Sequence, residues 1–303
     1  MLHLIIRTRP DKTHTRSASF GQPEDRDSIA RMRWLYLLAA SAATTFAPLS
    51  FAQLAPPNDA GVSMGHIHLT VPDPDAQIKV WVDVLGATAS KLVAPGLPPV
   101  ANPLNLLKLP GIFIIVTKAA ATEGSNGSTV NHIGFLVKDY PSLEAKLAAA
   151  NIPAVFDNKK NQMIVTFPDQ VRVEFNEDTA ITAPVVFHHI HLMTPEPDAL
   201  QAWYVKTFGA EASTRRNLPA AKIPGGEVDF LKAKETQVPT KGRTLDHIGF
   251  EIKDLEAFCK KLDADGIKFD MPFRDVPAIG LKIAFIIDPV GTRIELTQGL
   301  EGK

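Results

Sequence analysis

The chain has 303 residues, enough for two domains that each bury a core. Its 32 Lys+Arg balance 33 Asp+Glu, which leaves no basic footprint for nucleic acid and no acidic tail. Cys259 is the single cysteine, so an intrachain disulfide framework and a cysteine-built zinc site are both excluded.

The first element in chain order is a targeting segment. Arg31 and Arg33 precede the uncharged run WLYLLAASAA at 34–43, and SFA at 50–52 supplies small residues. This layout predicts a secretory signal peptide cleaved after Ala52, since Pro48 interrupts the run before it could span a membrane. Met32 opens a better-formed signal than Met1. Residues 1–52 are expected to be an N-terminal extension and signal, and the mature protein to be secreted or periplasmic, with no membrane attachment after cleavage.

Four segments then repeat one grammar: HIHLTVPDPD from His66, HIGFLVKDY from His132, HIHLMTPEPD from His189 and HIGFEIKDL from His247. Each reads as an alternating strand that ends at an acidic or proline-bearing helix start. After Asp73 and Pro74, the residues Ile78, Trp81, Val82 and Leu85 follow at helical spacing, closed by Gly86. After Pro197 and Asp198 come Leu200, Trp203, Tyr204 and Phe208, closed by Gly209. Shorter helices are expected from Ser142 and from Leu255. Three short apolar stretches follow each helix, separated by Pro, Gly and Asn, so that one unit is β-α-β-β-β. The expected fold class is α+β, with units one and two forming a domain at 61–178, units three and four another at 185–299, and a linker at 179–186.

The histidines carry the chemical signal. Of nine in the chain, His3 and His14 precede Met32, and the other seven all fall in the unit-opening strands. Alternation sets Ile67, Leu69 and Val71 on one face and His66 and His68 on the other. The same parity places His132, His189 and His247 opposite their apolar neighbours. In the last strands of units two and four, Glu174 and Glu295 share that face. Two imidazoles and one carboxylate form a donor set suited to Fe, Mn, Ni, Co or Zn with coordination positions left open. The sets expected are His66, His132 and Glu174 in the first domain, and His189, His247 and Glu295 in the second. His68 and His191 share the face; His188, Arg172 and Arg293 read as solvated residues.

At WYVKTFGAE from Trp203, LDHIGFEIKD from Leu245 and DPVGTRIEL from Asp288, the sequence resembles the vicinal oxygen chelate superfamily. This superfamily holds glyoxalase I, extradiol dioxygenases, fosfomycin and bleomycin resistance proteins, and related epimerases. The resemblance spans nearly the whole mature chain and implies paired modules forming an open, barrel-like sheet around a divalent metal cleft that takes a small-molecule substrate. It also implies a fourth ligand position, which falls at Ile114 in the first domain and Asp229 in the second. The second domain is therefore expected to be the better metal site. The resemblance implies a lyase or isomerase acting on a carbonyl or diol substrate, with Glu295 moving a proton. The alternatives are an Fe(II)-dependent extradiol-type dioxygenase, against which the lack of a tyrosine after Tyr204 counts, and a binding protein without turnover.

Overall fold

Each histidine strand opens a β-α-β-β-β module in the computed structural model, which describes residues 53–93, 104–157 and 159–303. The expected signal segment lies outside the described residues. Module one comprises β1 (Val62–Val71), α1 (Pro74–Asp83), β2 (Thr88–Leu92), β3 (Leu104–Leu109) and β4 (Ile112–Lys118). Module two comprises β5 (Val130–Val137), α2 (Tyr140–Ala149), β6 (Ala154–Asp157), β7 (Gln162–Phe167) and β8 (Val171–Glu177). Module three comprises β9 (Val185–Thr194), α3 (Pro197–Phe208), β10 (Glu211–Arg215), β11 (Leu218–Ile223) and β12 (Gly226–Lys232). Module four comprises β13 (Leu245–Ile252), α4 (Leu255–Ala264), β14 (Phe269–Val276), β15 (Leu281–Ile287) and β16 (Arg293–Gln298).

The helix boundaries follow from local chemistry. Asp73, Asp139 and Asp254 accept N–H bonds at the starts of α1, α2 and α4, satisfying donors that have no partner within the helix. Gly209 ends α3 in the left-handed region.

The modules share sheets differently from the expectation. One open sheet runs β14-β15-β16-β13-β1-β4-β3-β2 and the other β10-β11-β12-β9-β5-β8-β7-β6. Module one therefore joins module four, and module two joins module three. The cause lies in the connections. Asp178 donates to the Val137 carbonyl and Lys138 to that of Pro184, so the short link after β8 returns β9 antiparallel beside β5. The boundaries 61–178 and 185–299 thus delimit sequence repeats rather than sheets.

Modules one and two meet instead through their core faces. Trp81 of α1 is fully buried, with ring centroids 5.9 Å from Phe135 and 5.2 Å from Phe167 in the other sheet. Gln77, one turn earlier, donates to the Pro168 carbonyl. Phe208 of α3 lies 4.6 Å from Phe250 of β13 in the same manner. One contiguous apolar core joins both sheets. Among the described residues, no helix is long and apolar enough to cross a membrane.

Two predictions follow from these contacts. Residues 61–178 alone would expose β1 and β5 without their antiparallel partners, leaving open edges prone to association. That fragment is expected to dimerise or aggregate, and to form a folded one-to-one complex when co-expressed with 185–299. A folded, monodisperse monomer in size-exclusion chromatography would contradict the shared sheets.

The second concerns Asp288, which accepts N–H bonds from Thr292 and Val290 and the hydroxyl of Tyr204. Burial pushes its carboxyl up to about 6 in spite of these bonds. A folded value above the unfolded one, about 3.9, gives stability that is full below the unfolded value and lost as pH rises through the folded one. The loss corresponds to about 3 kcal/mol. In urea unfolding between pH 4 and 7, the wild type should lose roughly that much relative to Asp288→Asn. Parallel pH curves would exclude this role for Asp288.

Candidate metal centres

Two rows of three residues build the sites. His66 on β1 pairs with Gly249 on β13, which in turn pairs with Glu295 on β16. Neighbouring strands lie about 4.8 Å apart, so the outer two backbones are separated by roughly 10 Å. The His66 ring spans that gap by lying across the glycine: a Cβ at position 249 would stand 2.1 Å from His66 Cε1. His189, Gly134 and Glu174 form the equivalent row on β9, β5 and β8, where a Cβ at 134 would stand 1.9 Å from His189 Cε1.

In the first cluster, His66 Nε2 and His247 Nε2 each lie 2.9 Å from the same oxygen, Glu295 Oε2. His247 also donates from Nδ1 to Asp246 at 2.6 Å. Asp246 is itself held by the Gly242 N–H and by Arg293. Burial alone would lower His247, yet the bonds to Asp246 and Glu295 raise it above the ordinary histidine value. Burial would raise Glu295, but the two imidazoles hold its carboxyl well below the usual range. His68 donates to or accepts from Thr117 at 2.7 Å, and its ring centroid lies 4.3 Å from that of His247. Burial, followed by the neighbouring His247, lowers His68 well below the usual value.

The second cluster brings together His132, Glu174, His189 and His191. His132 Nε2 lies 2.9 Å from Glu174 Oε2, while His132 Nδ1 faces Asn131 Oδ1 at 2.8 Å. Burial lowers His132 to about 4, since neutral Asn131 cannot offset it as charged Asp246 does for His247. Burial would raise Glu174, but His132 and Gln162 hold it at about 2. Glu174 Oε1 and His189 Nε2, 3.9 Å apart, are buried and without hydrogen-bond partners. His189 Nδ1 instead meets His188 Nδ1 at 2.9 Å.

In each cluster the side-chain donor atoms lie within 4.8 Å of one another. Imidazole and carboxylate groups converging in this way fit a divalent ion. In the first, Asp246 stands behind His247 as a carboxylate that would orient a metal-binding histidine and raise its basicity.

The expected ligand sets exchange partners, because the modules do. His66 joins His247 and Glu295 rather than His132 and Glu174, and His189 joins His132 and Glu174 rather than His247 and Glu295. Asp229 pairs across β12 and β9 with His191 and lies 2.8 Å from its Nε2, apart from His247 and Glu295. Ile114 pairs with Ile67 and enters the core. The counterpart of Asp229 is Ile115, which pairs with His68 and is equally unable to ligate. Arg172 and Arg293 are not merely solvated: they hold Asn131 and Asp246, the partners of His132 and His247. The sequence reading missed these two partners, although each stands immediately before its histidine in VNHIGF and LDHIGF. It also missed both clearance glycines.

Residues 186–296 match the model of the Glyoxalase/Bleomycin resistance protein/Dioxygenase superfamily. This match agrees with the resemblance to vicinal oxygen chelate proteins. Glyoxalase I from Zea mays is similar in structure, with a TM-score of 0.61 and 16% identity over 78% of this chain and 92% of that one. A putative dioxygenase from Bacillus subtilis subsp. subtilis str. 168 gives 0.59 and 18% over 78% and 85%. At these identities the likeness establishes the fold. No curated protein matches the chain.

Gly249→Ala should force the His66 ring away from Glu295 and weaken Co2+ binding at the first cluster by about 10–100-fold, as loss of ligand orientation does elsewhere. Titration of the folded variant with Co2+ measures this. Unchanged affinity would show that the ring position is not required.

Proposed function

We propose that the protein is a metal-dependent lyase or isomerase of the glyoxalase type, acting on a small substrate with two adjacent oxygens at the His66–His247–Glu295 cluster. The observation that carries this reading is the convergence of both Nε2 atoms on one oxygen of Glu295, with Asp246 behind His247. A divalent ion held there would supply Lewis acidity to a carbonyl or enediolate oxygen. His66 and His247 would hold it through Nε2, and Glu295 through Oε2. Glu295 Oε1 has no hydrogen-bond partner among the described residues, and this oxygen would take and return a proton at a substrate carbon. With export expected from residues 34–52, this activity belongs outside the cytosol.

A second reading is an Fe(II)-dependent dioxygenase, favoured by the two-histidine, one-carboxylate composition of the cluster. Tyrosine placement weighs against it. Tyr204 spends its hydroxyl on Asp288, and Tyr140 on the Asn161 and Phe175 carbonyls, so neither reaches the cluster.

Protein loaded separately with Zn2+, Ni2+, Co2+, Mn2+ or Fe2+ should isomerise a hemithioacetal or related α-hydroxycarbonyl substrate without consuming oxygen. Glu295→Gln should lower kcat at least about 100-fold, since it removes a metal ligand together with the group that carries the proton. Oxygen uptake with a catechol under Fe2+ would favour the second reading. Absence of turnover with both substrate types would leave a binding role.

A further inference from the structure

The two clusters sit on equivalent scaffolds, and strand register shows where they differ. In the first sheet a row runs from His68 through Ile115 and Leu106 to Ser90. In the second, the matching row runs from His191 through Asp229 and Ala220 to Ser213. Two residues beyond each serine stand Leu92 and Arg215. Leu92 is buried in an apolar group with Phe113 and Ile115. Arg215 occupies the middle of the second cluster's polar network.

Its guanidinium commits all three nitrogens. Nη1 lies 2.7 Å from Asp229 Oδ2 and 3.2 Å from His191 Nε2. Nη2 donates to Asn176 Oδ1 at 2.9 Å and lies 3.6 Å from Glu174 Oε1. Nε lies 3.2 Å from Glu227 Oε1. Arg216 adds a second cation 3.7 Å from Glu174 Oε1. No described cation approaches Glu295 within salt-bridge distance other than its own two histidines.

We propose that Arg215 is a built-in cation that makes the second cluster a latent metal site, so that the wild-type protein binds one divalent ion tightly, at His66, His247 and Glu295. The donors of the second cluster are present and partly unpartnered, but the positive charge that would satisfy them is already supplied. A dication a few ångströms from this guanidinium, whose side chain is 12% exposed, meets repulsion that is screened less than in open water. Removing Arg215 also releases Asp229 as a further oxygen donor. This inference rests on the first cluster being the metal centre, and its test separates the two ideas.

Calorimetric titration of the metal-stripped full chain with Co2+ decides it. The wild type is expected to bind one tight equivalent, lost in Glu295→Gln and kept in Glu174→Gln. Arg215→Leu should tighten a second equivalent by about 10–100-fold, and Glu174→Gln in that background should remove it. Arg215→Lys, which keeps the charge, should bind one equivalent like the wild type. Should Arg215→Leu fail to fold, Arg215→Gln removes the charge while keeping amide groups for Asp229 and Asn176. Two equally tight equivalents in the wild type, or none gained in a folded Arg215→Leu or Arg215→Gln, would overturn the role of Arg215 alone. A single wild-type equivalent lost in Glu174→Gln, or no tight equivalent in any variant, would overturn the first cluster as metal centre as well.

Discussion

An imidazole that must reach across a whole strand is the constraint on which the site depends. His66 and Glu295 belong to different modules and are separated by β13, so their contact exists only because residue 249 has no side chain. Three features are thereby tied together: the antiparallel joining of modules one and four, the register that aligns the row, and the glycine beneath the ring. A one-residue slip of β1 against β13 would turn His66 into the core and Ile67 toward the site. The apolar partners Ile67, Leu69, Ile248 and Phe250, all fully buried, oppose that slip. Core packing on one face of the sheet thus fixes the chemistry on the other.

The same scaffold, used twice, separates architecture from chemistry. Both clusters keep the row of histidine, glycine and glutamate, and both keep an arginine behind the residue that holds the histidine. They differ in charge. Asp246 raises His247, whereas Asn131 leaves His132 lowered by burial. Apolar Leu92, Phe113 and Ile115 stand where Arg215, Glu227 and Asp229 stand in the other sheet. One cluster combines an electron-rich histidine with an apolar wall, and the other combines lowered histidines with an internal cation.

Much of this was legible in the sequence because it is local. Alternation placed His66, His68, His132, His189, His191, His247 and both glutamates on one face, and proline-bearing starts with glycine stops located α1 and α3. The glycine of each HIGF segment was visible too, but its meaning required knowing which histidine lies over it. What stayed hidden was non-local. Which modules share a sheet depends on the path of the connections and on free strand edges, and no periodicity encodes it. The exchange of ligand partners followed from that one uncertainty. Ile114 was misplaced by one residue, enough to invert its face. Arg215 stands at the end of an edge hairpin strand, in a run of residues whose charges only the fold brings beside Asp229 and Glu227.

The most direct test is anomalous diffraction from crystals of the Co2+-loaded protein at the cobalt edge. The account predicts a peak bounded by His66 Nε2, His247 Nε2 and Glu295, each about 2.0–2.2 Å from the ion as for comparable metal–nitrogen and metal–oxygen bonds. A peak held by His132, His189 and Glu174, with none at Glu295, would contradict it.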